Sequence, residues 1–405
     1  MIDKIILRKQ DKWQMSGSVG ISSSKSESNR LLLIDALASK KMVLSNLSTA
    51  RDTQTMTRLL EEKAPVWDVL DAGTTMRFCT AYLALKGQGE TITGTDRMQQ
   101  RPIGPLVNCL RSLGAKIDYL NNDGYPPLRI NGIKEQLSDR IEIPGNISSQ
   151  YISALLMIAP MLPNGLTMHL TTEIFSRPYI EMTLKLMEKY AVKHEWYGQT
   201  ISIMPQSYEA RENEYAVESD WSGASYWYSF VALGEGELFL PNLRKDSTQG
   251  DQAIGDIMSK LGVKSTFETN GVRLSKTSDY QEEIDLNFKE CPDLAQTVMV
   301  VAAVKGVKLN MIGLESLKIK ETDRVAALTN ELAKIGATLS ENGSNWTLSP
   351  SKDLPTSVEI KTYEDHRMAM AFAPLCCVMD VTIEEPDVVK KSYPEFWEEV
   401  EKVRG

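Results

Sequence analysis

Lys320-Glu321-Thr322-Asp323-Arg324 sets two cations around a carboxyl just ahead of an apolar helical pattern at Val325, Leu328, Leu332 and Ile335. If the stretch is the first turn of that helix, Lys320 and Arg324 share a face at i,i+4, where like charges repel by a few tenths of a kcal/mol. An anion between them, close to a positive helix N-terminus, would reverse that sign. Glu321 would then stand beside an anion-binding pair, placed for proton transfer. The plainer reading is a solvated, charged helix start.

Other stretches repeat the theme. Lys25-Ser26-Glu27-Ser28-Asn29-Arg30 opens an apolar helix, and Ser26 and Arg30 at i,i+4 could grip one phosphate or carboxylate. With Gly20 it half-matches a nucleotide P-loop, but Ser24 stands where the second Gly belongs. Leu70-Asp71-Ala72-Gly73-Thr74-Thr75-Met76-Arg77 puts Gly73 at a helix start, where it either admits a ligand to the backbone or relieves a turn. Arg97 and Arg101 precede Pro102, a residue suited to a first helical turn. Ser148-Ser149-Gln150 and Ser176-Arg177-Pro178-Tyr179 gather uncharged hydrogen-bonding groups at helix starts. Asp293 with Gln296, and Ser24 with Glu27, have capping-box spacing, so capping alone would account for Asp293. Seven cations, Lys25, Arg30, Arg101, Lys320, Arg324, Arg367 and Lys391, lie at or near such starts, with the carboxyls Asp293 and Glu321 among them.

The elements that position these groups repeat. A stretch of small polar residues, an apolar helix, a Gly-containing turn and a strand recurs from Ser24, Asp71, Ser148, Asp220, Asp293 and Asp365. A second marker agrees: Leu113-Gly114-Ala115-Lys116, Tyr190-Ala191-Val192-Lys193, Leu261-Gly262-Val263-Lys264 and Ile335-Gly336-Ala337-Thr338 each close a helix pattern and open a strand pattern. The first interval is the shortest. Six α/β units with two helices each follow, in two groups of three, with the boundary in the polar stretch Glu209 to Glu218. The strand Lys4 to Leu7 and the stretch Trp13 to Val19 precede the first unit and could join either group.

The 405 residues suffice for two large domains, and a net charge of -9 argues against a nucleic-acid partner. The N-terminus is too charged for a secretory signal, and no apolar run reaches membrane-span length. Cys79, Cys109, Cys291, Cys376 and Cys377 lack zinc-ligand spacing and read as thiols of a reducing cytoplasm. With three histidines, a His-based metal site is not expected.

The motifs together resemble 5-enolpyruvylshikimate-3-phosphate (EPSP) synthases, enolpyruvyl transferases of the shikimate pathway. KSESNR at 25–30, DAGTTMR at 71–77, RPIG at 101–104, SSQ at 148–150, SRPY at 176–179, DSTQGD at 246–251, PD at 292–293, KETDR at 320–324, DHRMAM at 365–370 and KSYP at 391–394 stand in family order and span nearly the whole chain. The resemblance implies an α/β (α+β) fold of two globular domains, each of three repeated units with helices inside and short-stranded sheets outside, an inside-out α/β barrel. It implies a domain of residues 1–22 plus 218–405 carrying both termini, an inserted domain of residues 23–217, and an active site in the cleft between them. It implies transfer of the enolpyruvyl group of phosphoenolpyruvate to the 5-hydroxyl of shikimate 3-phosphate, with no cofactor and no metal, by a cytoplasmic monomer acting on small anionic substrates, with no nucleic-acid or membrane partner. Carried over by motif, Lys25, Gly73, Arg101, Gln150, Arg324, Arg367 and Lys391 hold phosphoenolpyruvate. Lys25, Ser26, Arg30, Ser148, Ser149, Gln150, Ser176, Tyr179, Asp293, Ser316 and Lys320 hold shikimate 3-phosphate, and Asp293, Glu321 and Lys25 are catalytic. Glyphosate, a phosphonate, inhibits that family in the phosphoenolpyruvate site. Alternatives are a related enolpyruvyl transferase acting on a UDP-amino sugar and a non-catalytic metabolite-binding relative.

Three departures stand out: Asp71 where the family often has Asn, Phe78 where Pro is common, and Ser316 where Asn is usual. The short first unit also lacks a hairpin between Ala64 and Asp71 that longer members carry.

Overall fold

The computed structural model describes residues 3–10 and 14–404, so Trp13 lies outside the described residues. The chain divides into two compact units, one of Met1–Ser22 with Glu218–Gly405 and one of Ser23–Val217, each with its own apolar core.

One strand pattern recurs. Val66–Asp68 pairs parallel with Gln88–Thr93, which pairs antiparallel with Leu128–Asn131, itself antiparallel to Lys116–Tyr119. The same order of one parallel and two antiparallel pairings builds the sheet of Arg140–Ile143, Leu166–Leu170, Thr200–Ile203 and Glu195–Tyr197. It returns in the sheet of Glu283–Asn287, Lys308–Ile312, Asn345–Ser349 and Thr338–Asn342. It returns again in Gln14–Met15, Glu235–Pro241, Gly271–Lys276 and Val263–Glu268. Each unit carries one smaller sheet as well. Val43–Ser45 pairs with Glu214–Ala216 in one unit, and Lys4–Leu7 joins Asp380–Glu384 and Ser357–Ile360 in the other. In the short first repeat only Lys63, Ala64 and Pro65 separate the helix Arg51–Glu62 from the next strand.

The six repeat starts lead into the helices Lys25–Leu37, Gly73–Lys86, Ser149–Ile158, Trp221–Leu233, Ala295–Lys305 and His366–Phe372. Most of these helices are buried nearly all round, as apolar residues on every face require. The second helix of a repeat, such as Arg51–Glu62 or Arg324–Lys334, buries one face and leaves the other polar. At the second marker the backbone turns left-handed, with φ of 110° at Gly114, 63° at Ala191, 85° at Gly262 and 82° at Gly336. That conformation ends the helix and redirects the chain into the strand.

Helix starts differ from the sequence expectation at two sites. The helix after Asp323 begins at Arg324, because the Asp323 side chain accepts from Ala326 N and caps it there. Lys320 to Thr322 therefore lie ahead of the helix, and Lys320 and Arg324 do not share a helical face. The helix after Asp293 begins at Ala295 behind the 3-10 turn Pro292–Leu294, with no side-chain cap, so the Asp293–Gln296 capping box does not form. Pro102 likewise precedes the helix Gly104–Ser112 instead of opening it; Pro105 takes that role. Ser24 does cap its helix, accepting from Glu27 N at 3.3 Å, while Glu27 Oε1 accepts from the Tyr215 hydroxyl.

Candidate active site

In the unit carrying both termini, Asp293 is free for side-chain chemistry because it caps nothing. Its Oδ1 accepts from Arg324 Nη1 at 2.9 Å and lies 3.4 Å from Lys320 Nζ, and its Oδ2 accepts from Arg367 Nη2 at 3.0 Å. Lys320 and Arg324 thus converge on an anion, but through space and on the chain's own carboxylate. Arg324 is buried and fully engaged: Nε donates to Asp365 Oδ2 at 2.6 Å and Nη2 to Glu321 Oε2 at 2.8 Å. Glu321 Oε1 stands 3.6 Å from Lys391 Nζ on the turn Pro386–Lys391. Asp365, which the sequence presented as a repeat start and as the head of the DHRMAM stretch, also caps the helix of Arg367 by accepting from its backbone N at 2.9 Å.

Four cations, Lys320, Arg324, Arg367 and Lys391, therefore surround the carboxyls Asp293, Glu321 and Asp365. Burial alone would raise the Asp293 carboxyl, but Arg367, Lys320 and Arg324 outweigh it and hold it well below the usual carboxylate range. For Arg324, burial works against the charge, and Asp365, Glu321 and Asp293 together secure it. Ser316, on the 3-10 turn Glu315–Ile319, is half-buried and joins none of these pairs.

The other unit holds the remaining motif residues. Arg30 is buried, donating from Nε to Thr183 Oγ1 at 2.7 Å, from Nη1 to the Ser26 carbonyl at 2.9 Å and from Nη2 to Ser153 Oγ at 3.1 Å. These acceptors are neutral, and burial lowers the guanidinium to about 10, with Tyr179 opposing. Its Cζ sits 5.3 Å from the Phe78 ring centre and 5.9 Å from that of Tyr179, so Phe78 supplies an aromatic face under a buried cation.

Lys25 Nζ pairs with Asp52 Oδ2 at 3.2 Å, a partner that no motif announced. At Gly73, a Cβ would lie 2.6 Å from Arg101 Nη1, so the guanidinium rests on bare backbone. Arg101 Nε is buried with no hydrogen-bond partner. Arg77 ties the turn together, donating to the Gly73 and Pro102 carbonyls at 3.0 Å each. Gln150 Nε2 donates to Thr74 Oγ1 at 3.1 Å, joining the SSQ stretch to the Gly73 turn. Ser148 occupies the cap position of its helix without a side-chain bond to it, and Ser149 is buried beside it. Ser176 sits left-handed at φ 53° before the helix that carries Tyr179. Asp71 pairs with Arg51 at 2.7 Å.

The six-fold repeat and the cation-ringed carboxyls describe an α/β protein built to handle small, multiply charged anions. A family model for EPSP synthase (3-phosphoshikimate 1-carboxyvinyltransferase) matches residues 9–63 and 58–400, and the chain belongs to the EPSP synthase family. A Bacteroides fragilis protein named 3-phosphoshikimate 1-carboxyvinyltransferase is 47% identical over 395 residues, covering 96% of this chain and 95% of the relative. A relative of the same name from Paraburkholderia phytofirmans is 36% identical, covering 95% of each chain. The solved EPSP synthase of Acinetobacter baumannii superposes with a TM-score of 0.82 at 18% identity, covering 99% of this chain and 98% of that one, a likeness of fold. Among the described residues no helix is long and apolar enough to cross a membrane.

Proposed function

We propose that this chain transfers the enolpyruvyl group of phosphoenolpyruvate to the 5-hydroxyl of shikimate 3-phosphate and releases inorganic phosphate. The observation that carries it is the Asp293 carboxylate, shared among Arg324, Arg367 and Lys320 next to Glu321. Each substrate brings a carboxylate and a phosphate, about three negative charges at neutral pH. Arg324, Arg367 and Lys391 from one unit, and Lys25, Gly73, Arg101 and Gln150 from the other, bind the donor. Lys320 and Asp293, with Lys25, Ser26, Arg30, Ser148, Ser149, Gln150, Ser176 and Tyr179, bind the acceptor.

In the reaction Glu321 delivers a proton to the methylene carbon of phosphoenolpyruvate while Asp293 takes the proton of the attacking hydroxyl. The new C–O bond gives a tetrahedral adduct. Loss of a methyl proton and of the phosphate restores the enol ether. When the donor's anionic groups engage Arg367 and Arg324, those cations no longer spend their full field on Asp293, and its basicity rises toward the useful range. Lys25, held by Asp52, stands ready to assist either transfer. The buried, free thiols suit a reducing cytoplasm.

Phosphate release from phosphoenolpyruvate, measured with shikimate 3-phosphate, with a UDP-amino sugar and with no acceptor, tests the assignment. Release only with shikimate 3-phosphate is expected. Release only with the amino sugar, or none with either, overturns it.

A further inference from the structure

Asp251 lies on the 3-10 turn Gly250–Ala253 and is buried. Its Oδ2 is hydrogen-bonded to Ser222 Oγ, and its Oδ1 is buried with no hydrogen-bond partner. Ser222 stands in the first turn of the helix Trp221–Leu233. Its Oγ accepts from Arg367 Nη2 at 3.3 Å, and the same nitrogen donates to Asp293 Oδ2 at 3.0 Å. A guanidinium only donates, so the Ser222 hydroxyl proton is left for Asp251. Arg367 Nη1 meanwhile reaches the Tyr226 hydroxyl and the Asp293 carbonyl, each at 3.4 Å. A continuous line of hydrogen bonds runs from Asp251 through Ser222 and Arg367 to Asp293.

We propose that Asp251 is a positioning residue that acts through Ser222 to fix the Arg367 guanidinium where it meets both Asp293 and the donor substrate. The inference rests on the enolpyruvyl-transfer reading above. Asp251 touches no substrate; its effect is relayed. Burial, helped by Asp293 and Asp220 and opposed by Arg367 and the Ser222 hydroxyl, pushes its carboxyl up to about 7. The buried Cys291 thiol, whose titration burial and Asp251 both push up, completes the titratable surroundings. Two carboxyls thus share one arginine, and their environments push their ionisation in opposite directions. Below about 7 only Asp293 competes with an anion for Arg367. Above it, the Asp251 charge weakens the hold of Arg367 on phosphoenolpyruvate.

The test measures the KM for each substrate from pH 6 to 9 in the unmodified protein, Asp251→Asn and Ser222→Ala, alongside calorimetric binding of phosphoenolpyruvate, which needs no turnover. In the unmodified protein the phosphoenolpyruvate KM should climb above pH 7, and Asp251→Asn should abolish the climb. Ser222→Ala should raise that KM about tenfold, the scale of one hydrogen bond to a charged group, and move the acceptor KM much less. A pH profile in Asp251→Asn that parallels the unmodified protein overturns the proposal. So does a Ser222→Ala protein that binds phosphoenolpyruvate as before, a result that decides the matter even if Asp251→Asn fails to fold. Absence of phosphate release in the unmodified protein would instead refute the transferase reading.

Discussion

Arg324 and Asp293 meet at 2.9 Å, with the arginine buried and the aspartate at the edge of the site. The arginine is anchored from behind by Asp365, so it cannot follow the aspartate if the latter moves. Asp293 is therefore the carboxylate with which an incoming anion would compete for Arg324, Arg367 and Lys320.

Asp293→Asn should lower turnover by about 100-fold or more, the scale of a general base, while shikimate 3-phosphate still binds. Losing the negative charge leaves Arg367 and Lys320 less compensated, so phosphoenolpyruvate should bind at least as tightly as before. Steady-state rates together with calorimetric binding check this. Near-normal turnover would remove Asp293 from the chemistry.

Gly73→Ala places a methyl carbon 2.6 Å from Arg101 Nη1 and 3.0 Å from its Cζ, so the guanidinium has to shift. Overfilling of that kind costs about 1–3 kcal/mol, or about ten- to a hundredfold in affinity. Glyphosate is longer than phosphoenolpyruvate and should lose more. The unmodified protein is expected to be inhibited, with the inhibition constant of Gly73→Ala rising well beyond its KM for phosphoenolpyruvate. Equal factors for substrate and inhibitor would show that the turn does not discriminate by length.

The two aspartates that flank Arg367 should leave opposite marks on stability. Asp293 is held below its unfolded value of 3.8, so its contribution is present above that pH and is lost as the medium becomes more acidic. Asp251 is raised from 3.8 to about 7, so its contribution is full below 3.8 and drains away as pH rises to about 7. Relative to the unmodified protein, Asp251→Asn should gain in thermal midpoint between pH 4 and 7, whereas Asp293→Asn should lose over the acid range where Asp293 ionises. Melting curves from pH 2 to 7 decide it: an Asp251→Asn curve parallel to that of the unmodified protein between pH 4 and 7 would contradict the first assignment, and an Asp293→Asn curve parallel to it below pH 4 would contradict the second.

Glu331 offers a control away from the site. It is fully buried, accepting from Lys334 Nζ at 2.6 Å, Lys361 N at 3.1 Å and the Tyr363 hydroxyl at 2.8 Å. Glu331→Ala should destabilise by about 2 kcal/mol, less than the ~3–5 of an enclosed pair, because Lys334 can turn to water. The urea midpoint should fall while the KM values stay put.

The repeat was legible because its signals are local. Ser24, Asp220 and Asp365 cap helices through their own side chains, and the left-handed residues at Gly114, Gly262 and Gly336 announce each helix end. The partners in the candidate site were less so. Lys320 and Arg324 suggested a helical pair, but the Asp323 cap starts the helix one residue before Val325, and the two cations meet on Asp293, about thirty positions earlier in the chain. Asp293 resembled a cap because PD followed by Gln has the right spacing; only tertiary packing shows its side chain turned to three cations. Asp52 and Ser222 carry no local mark, and Asp251 closes the DSTQGD stretch without any role being readable there, since what singles the three out is whom they touch across 27, 29 or 145 positions.

The strand Lys4–Leu7 completes a sheet with Asp380–Glu384, the two ends of the chain side by side. On a ribosome this has a consequence in time. Residues 23–217 can finish folding once they emerge, since Val43–Ser45 finds its partner at Glu214–Ala216. The first strand must wait for the last stretch of the chain, at usual synthesis rates roughly ten to forty seconds after residue 217 appears. Through that interval Ile5, Ile6 and Leu7 travel as an unpaired apolar edge. A nascent chain stalled before residue 380 is therefore the form of this protein most exposed to misassociation and most in need of a chaperone.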